Sequence, residues 1–151
     1  MQMDLLTVPA AVPEENTGAA VDSNGVHKKI ELTFNGGCKP QIVDFSQIEG
    51  VPCPCGTARR GLVNDPMFPG TLHRTDINQT AKAHYHKKLT EIYFVITCEE
   101  GAKMRLNDEL IPLRNEMAFV IPPGNVHCLI GNAKTFITAL PKFDPQDEWI
   151  V

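Results

Sequence analysis

From Lys29 onward the chain runs in short segments of alternating apolar and polar residues, separated by turn residues. Ile30-Glu31-Leu32-Thr33-Phe34 has a period of two and stops at Asn35-Gly36-Gly37, the pattern of a strand and its turn. Comparable β-type runs cover Gln41 to Phe45, Thr57 to Val63, Thr71 to Ile77, Glu91 to Thr97, Lys103 to Leu106, Met117 to Ile121, Cys128 to Ile130 and Thr135 to Leu140. Asn64-Asp65-Pro66, Phe68-Pro69-Gly70, Glu99-Glu100-Gly101, Asn107-Asp108 and Pro122-Pro123-Gly124 mark turns between them. Many short strands with almost no helical period predict an all-β sandwich or barrel. Two isolated helical turns are predicted. Ser46-Gln47-Ile48-Glu49 has capping-box spacing but meets Gly50 at once, and Asp144-Pro145-Gln146-Asp147 offers an N-cap, a first-position Pro and an acid in the first turn.

Residues 1 to 25, rich in Pro, Ala, Asn, Glu and Gly, lack a sustained hydrophobic period and read as a flexible N-terminal arm. The expected organisation is that arm, one domain over residues 26 to 141, and a C-terminal extension over 142 to 151. A chain of 151 residues suits one such domain with a sizeable core.

Within that β pattern sit two histidine patterns. His84-Tyr85-His86 is followed after four residues by Glu91, and Pro122-Pro123-Gly124-Asn125-Val126 leads into His127. Strand side chains alternate faces, so His84 and His86 point the same way and Tyr85 points away. Glu91 re-enters at the start of the next strand, and the Pro-Pro-Gly turn delivers His127 from elsewhere on the sheet. Imidazole and carboxylate suit a borderline divalent metal, so three His and one Glu form a ligand set if they converge. The bland reading is that each is a surface or hydrogen-bonded core group, as His27 and His73 are read individually.

The run His84-x-His86-x4-Glu91, followed by Pro122-x-Gly124-x-x-His127, resembles the two signature motifs of the cupin superfamily. The resemblance spans Asn78 to Asn132. It implies a cupin-type double-stranded β-helix, a jelly-roll barrel, over most of residues 26 to 141. It also implies that His84, His86, Glu91 and His127 ligate one divalent transition metal: iron, zinc, nickel or manganese. The chain departs from the family pattern at Asn78, Cys98, Glu116 and Gly131, where the family usually has Gly, Gly, Gly and Asn. Those departures bear on turns rather than on ligands.

Four protein ligands on a six-coordinate ion leave two positions for water or a bidentate substrate. With three neutral imidazoles and one carboxylate, the net charge near plus one favours anionic or chelating oxygen ligands. The leading function is a metal-dependent enzyme of dioxygenase or isomerase type acting on a small oxygenated or anionic metabolite. The alternative is a non-catalytic protein that captures a sugar or carboxylate through its metal, and a third reading is a barrel with a vestigial site. Parity with Glu91 places Tyr93, Val95 and Thr97 inward and Cys98 outward, making Tyr93 the candidate catalytic group. Among Arg59, Arg60, His73 and Arg74, one of each neighbouring pair faces inward. Arg74 and His73 are the expected substrate contacts.

Ile92, Phe94 and Ile96 face outward yet are apolar, which predicts cover by another sheet or a second subunit and supports a homodimer. The formal net charge of -4 and pI near 5.7 make no electrostatic case for nucleic acid or an anionic membrane. No apolar run approaches the length of a membrane span, and the acid at Asp4 is unlike a signal peptide. These features predict a cytoplasmic protein with a small-molecule ligand. Five cysteines at irregular spacing argue against a disulfide framework. Cys53-Pro54-Cys55, with Cys38, is weighed as a second metal site but read as free thiols in a loop, because the intervening Pro hinders convergence.

Overall fold

In the computed structural model, residues 40 to 151 are described. The strand expected at Ile30 to Phe34, the arm over 1 to 25, His27 and Cys38 lie outside them. The strands are β1 (Val51–Cys53), β2 (Gly56–Gly61), β3 (Thr71–Ile77), β4 (His84–Tyr85), β5 (Thr90–Cys98), β6 (Lys103–Leu106), β7 (Glu109–Pro112), β8 (Ala118–Ile121), β9 (His127–Ile130), β10 (Ala133–Leu140) and β11 (Trp149–Ile150). They form two antiparallel sheets, ordered β1-β2-β3-β10-β5-β8 and β11-β4-β9-β6-β7. The expected all-β jelly-roll architecture is what the chain adopts.

The core lies where the inner faces of the two sheets meet. Ile77, Tyr93, Val95, Phe119, Ile121 and Ile137 come from one sheet, and Met104 and Leu129 from the other. Strand β3 shows the governing rule. Thr71, His73, Thr75 and Ile77 are buried while Leu72, Arg74 and Asp76 are only partly covered, the alternation a half-buried strand requires.

Three local expectations change. Gln41 to Phe45 forms no strand, because the Asp44 carboxylate accepts from the Ser46 N–H at 2.9 Å and bends the chain there. Ser46 to Glu49 stays a turn, with Gln47 N–H on the Asp44 carbonyl and Ile48 N–H on that of Phe45. The inward parity from Glu91 holds through Val95 and then fails. Register on β10 slips between Lys134 and Thr135, which pair with Thr97 and Val95, so β5 bulges at Ile96. Thr97 therefore turns outward and is exposed, while Cys98 packs against the core.

Glu116, which stands where the family pattern often has Gly, adopts φ +68°. The left-handed turn is thus kept without the residue that adopts it most easily. The second predicted helical turn forms as one 3₁₀ turn, Pro145–Asp147, with the Asp144 side chain accepting from Gln146 N–H. No helix among the described residues is long and apolar enough to cross a membrane.

Candidate metal centre

Strand pairing brings the histidines together. His84 and His127 are direct cross-strand partners on β4 and β9, and their rings stand 4.4 Å apart. His86 follows β4 and is held by the Pro122-Pro123-Gly124 turn, where Gly124 N–H donates to the His86 carbonyl at 2.7 Å. Glu91 enters from β5, in the opposite sheet. One donor atom from each of His84, His86, Glu91 and His127 lies within 4.8 Å of the other three, and all four residues are buried.

Hydrogen bonds on the far side of each ring fix which nitrogens face the gap. His84 Nδ1 donates to the Lys82 carbonyl at 2.9 Å, His86 Nδ1 to that of Asp147 at 2.9 Å, and His127 Nδ1 to that of Asn125 at 3.0 Å. A backbone carbonyl can only accept, so each Nδ1 carries a proton, and a ring in its neutral form turns its Nε2 lone pair to the gap. His127 Nε2 lies 2.9 Å from Glu91 Oε2. His86 Nε2 stands at 3.4 Å from the same oxygen, and as a buried atom it has no hydrogen-bond partner. That contact is electrostatic only. An orphaned imidazole nitrogen beside two others and a carboxylate is the donor set that a divalent ion satisfies.

The titration directions agree. Burial would raise the Glu91 carboxyl, but the close imidazoles of His127 and His86 outweigh it and hold Glu91 well below the usual carboxylate range. For His86, burial favours the neutral ring, yet the Glu91 contact and charge and the Asp147 carbonyl raise its pKa overall. His84 is lowered, chiefly by burial and then by the neighbouring His127. An anionic carboxylate amid imidazoles is an arrangement a cation stabilises.

The C-terminal extension supports this centre more closely than its sequence suggests. Strand β11 pairs with β4, setting Trp149 opposite Tyr85. The Asp147 carboxylate accepts from the N–H groups of Lys87, Lys88 and Leu89 at 3.1, 3.0 and 3.3 Å. Burial opposes its ionisation, but those three bonds prevail and lower its pKa. Asp147 therefore clamps the turn between His86 and Glu91 while its carbonyl orients His86. Replacing Asp147 by Ala should cost about 2–4 kcal/mol of stability, since three donors lose a charged acceptor. Metal affinity should also fall roughly tenfold or more. Urea denaturation and metal titration of the variant check both.

A pocket opens beside the four residues. Its wall includes Glu148, Tyr93, Phe143, His73, Arg60 and the thiols of Cys53 and Cys55. Glu148 Oε1 is 3.8 Å from His84 Nε2, a second carboxylate next to the centre that no sequence pattern singles out. Tyr93 is buried with its ring edge-on to His127 at 5.8 Å. Burial and then the Glu91 charge hold its phenol well above its ordinary pKa, so it stays protonated.

His73 lines the pocket, with Nε2 2.9 Å from Thr71 Oγ1. Arg74 does not. It lies on the outer face of β3, bonded to Asp76 Oδ1 at 3.0 Å and to the Thr75 carbonyl. Arg60 is the inward arginine, paired across the ladder with His73.

Cys53 and Cys55 are free thiols, but Pro54 does not keep them apart. The hairpin joining β1 to β2 brings Cys53 Sγ and Cys55 Sγ to 3.0 Å despite the Pro between them. Gly56, at φ +148°, permits the tight turn, and a Cβ there would lie 2.2 Å from the Asp76 carbonyl oxygen. Of the pair, the Cys53 thiol is lowered to about 6, mainly by its hydrogen bond with Cys55.

Burial, with Arg60 nearby, lowers His73 from 6.5 to about 4. Its folded pKa lies below its unfolded value, so the unfolded chain takes up a proton that the folded protein refuses. Stability should therefore fall as pH drops from 6.5 toward 4, by up to about 3 kcal/mol from this residue. In metal-free protein, the stability difference between wild type and His73→Phe should shift in favour of the variant across that window. Denaturant midpoints at several pH values read it.

No family model matches the chain, and no curated protein matches it. Solved structures do. A protein from Planctomyces limnophilus is 38% identical, with a TM-score of 0.71 over 74% of this chain and 97% of that one. The Streptomyces nucleoside dehydratase Pac13 is 18% identical, with a TM-score of 0.63 over 75% and 92%. Ectoine synthase from P. lautus is 15% identical, with a TM-score of 0.63 over 74% and 90%. At the two lower identities the likeness is one of fold. With the jelly-roll topology, and with both motifs delivering their four side chains to one buried point, this chain has the cupin fold.

Proposed function

We propose that the protein is a metal-dependent enzyme of dioxygenase or isomerase type acting on a small oxygenated or anionic metabolite. The observation carrying this reading is the set of three Nδ1-anchored imidazoles whose Nε2 atoms, one of them orphaned, surround Glu91 beside an open pocket. His84, His86, Glu91 and His127 would hold iron, zinc, nickel or manganese. When bound, the ion supplies Lewis acidity or, if iron, dioxygen chemistry.

The remaining roles fall to side chains. Tyr93 offers a protonated phenol beside Glu91, suited to donating a hydrogen bond or proton to substrate oxygen. Glu148, near His84, is placed to accept a proton. His73 stays neutral near pH 7 and contributes a polar wall. Metal analysis of the native protein with an oxygen electrode separates the reaction types. Iron with substrate-dependent oxygen uptake supports the dioxygenase; zinc, nickel or manganese without uptake supports the isomerase. Native protein that carries no metal and takes none up overturns the proposal.

The working unit in this proposal is a homodimer. Phe94, Ile96 and Val120 are 42%, 37% and 63% exposed on β5 and β8, and among the described residues β8 is the terminal strand of its sheet. An apolar face beside a strand edge that is unpaired among the described residues suits a second copy. Light scattering at micromolar concentration should give twice the chain mass, and Val120→Lys should return the monomer. A wild-type monomer contradicts it.

A further inference from the structure

Three arginines stand close together on β2 and β3, and their environments differ. Arg59 and Arg74 are cross-strand partners on the outer face and share Asp76, at 3.1 and 3.0 Å. Arg60 points into the pocket, where no carboxylate among the described residues pairs with it. Its guanidinium lies over the Phe143 ring, 4.8 Å from the centroid. Its Nε is buried and has no hydrogen-bond partner. Its charge is felt there, since it helps depress both His73 and Cys53.

Stacking fixes the plane of a guanidinium while leaving its N–H fork free. A buried, unanswered N–H on such a fork is costly unless a ligand supplies the acceptor. A carboxylate matches the fork with two parallel bonds. Phe143 also neighbours His86, with ring centroids 6.4 Å apart. Arg60 and the ligand cluster thus both border Phe143, and Arg60, His84 and Glu91 line one pocket.

The geometry points to Arg60 as the anchor for a carboxylate at the end of the substrate remote from the metal. The substrate is accordingly a small acid with two anionic or chelating ends. One end is held by Arg60, and the other, resting on the metal reading above, reaches the His84, His86, Glu91 and His127 cluster. Both ends of the pocket then carry positive charge, and a neutral sugar or a monoacid answers only one of them.

Calorimetric titration tests this with near-isosteric pairs: malate against 2-hydroxybutyrate, and 2-hydroxyglutarate against 2-hydroxyvalerate. Each is titrated into protein of measured metal content. The wild type should prefer the dicarboxylate of at least one pair by roughly tenfold or more. Arg60→Gln should bring that ratio near one, and Arg60→Lys should restore part of it. Thermal denaturation confirms that the variants are folded. Loss of the metal reading appears separately, as absent metal. In that event succinate against butyrate, which needs no chelation, decides the role of Arg60. Wild-type protein that binds acid and analogue equally, binds neither, or keeps its preference in Arg60→Gln overturns the assignment.

Discussion

His86→Ala and His127→Ala should each reduce affinity for a divalent transition metal by roughly a thousandfold or more while leaving the barrel folded. Each replacement removes one of three imidazole donors, and its Nδ1 anchor to Asp147 or Asn125 disappears with it. The fold should survive because its core is built from Ile77, Val95, Met104, Phe119, Leu129 and Ile137, none of which depends on an ion. Metal content after dialysis, with circular dichroism on the same samples, gives the result. Full occupancy in both variants would mean that the ligands are misassigned.

Tyr93→Phe should retain metal and lose turnover by roughly 10²-fold or more. The phenol is buried with its ring edge-on to His127 and is not one of the four proposed ligands. Removing its oxygen therefore spares the ligand set and deletes the donor proposed for the substrate. A loss below about threefold, with metal content unchanged, would make Tyr93 a packing residue.

Periodicity in the sequence recovers the strands that alternate cleanly. Thr71–Ile77 and Lys103–Leu106 form with the expected bounds. The ligand set is legible for the same reason: a two-residue spacing on a strand fixes a common face whatever the rest of the fold does. Other features depend on partners far along the chain. The bulge at Ile96 follows from the pairing with β10 and reverses Thr97 and Cys98. Strands β1 and β7 are short and largely exposed, so neither carries an alternating pattern strong enough to identify it.

The choice between Arg60 and Arg74 requires the register of β2 on β3. One signal is available within β3 itself: Arg74 and Asp76, two apart, share a face, and opposite charges at that spacing mark the solvent side. Leu72 on that same face blurs the pattern. The Asp144-Pro145 cap is visible in the sequence, but nothing local shows that Asp147 reaches back about sixty residues to hold His86 and the turn after it.

The metal centre is tested most directly by the metal stoichiometry of wild-type protein, stripped by a chelator and reloaded separately with iron, nickel, manganese and zinc. One tightly held ion per chain is expected for at least one of them, with uptake weakening as pH falls and the imidazoles protonate. Occupancy below about one-tenth of an ion per chain for all four metals, in protein that remains folded, would contradict the assignment of these four residues as a metal site.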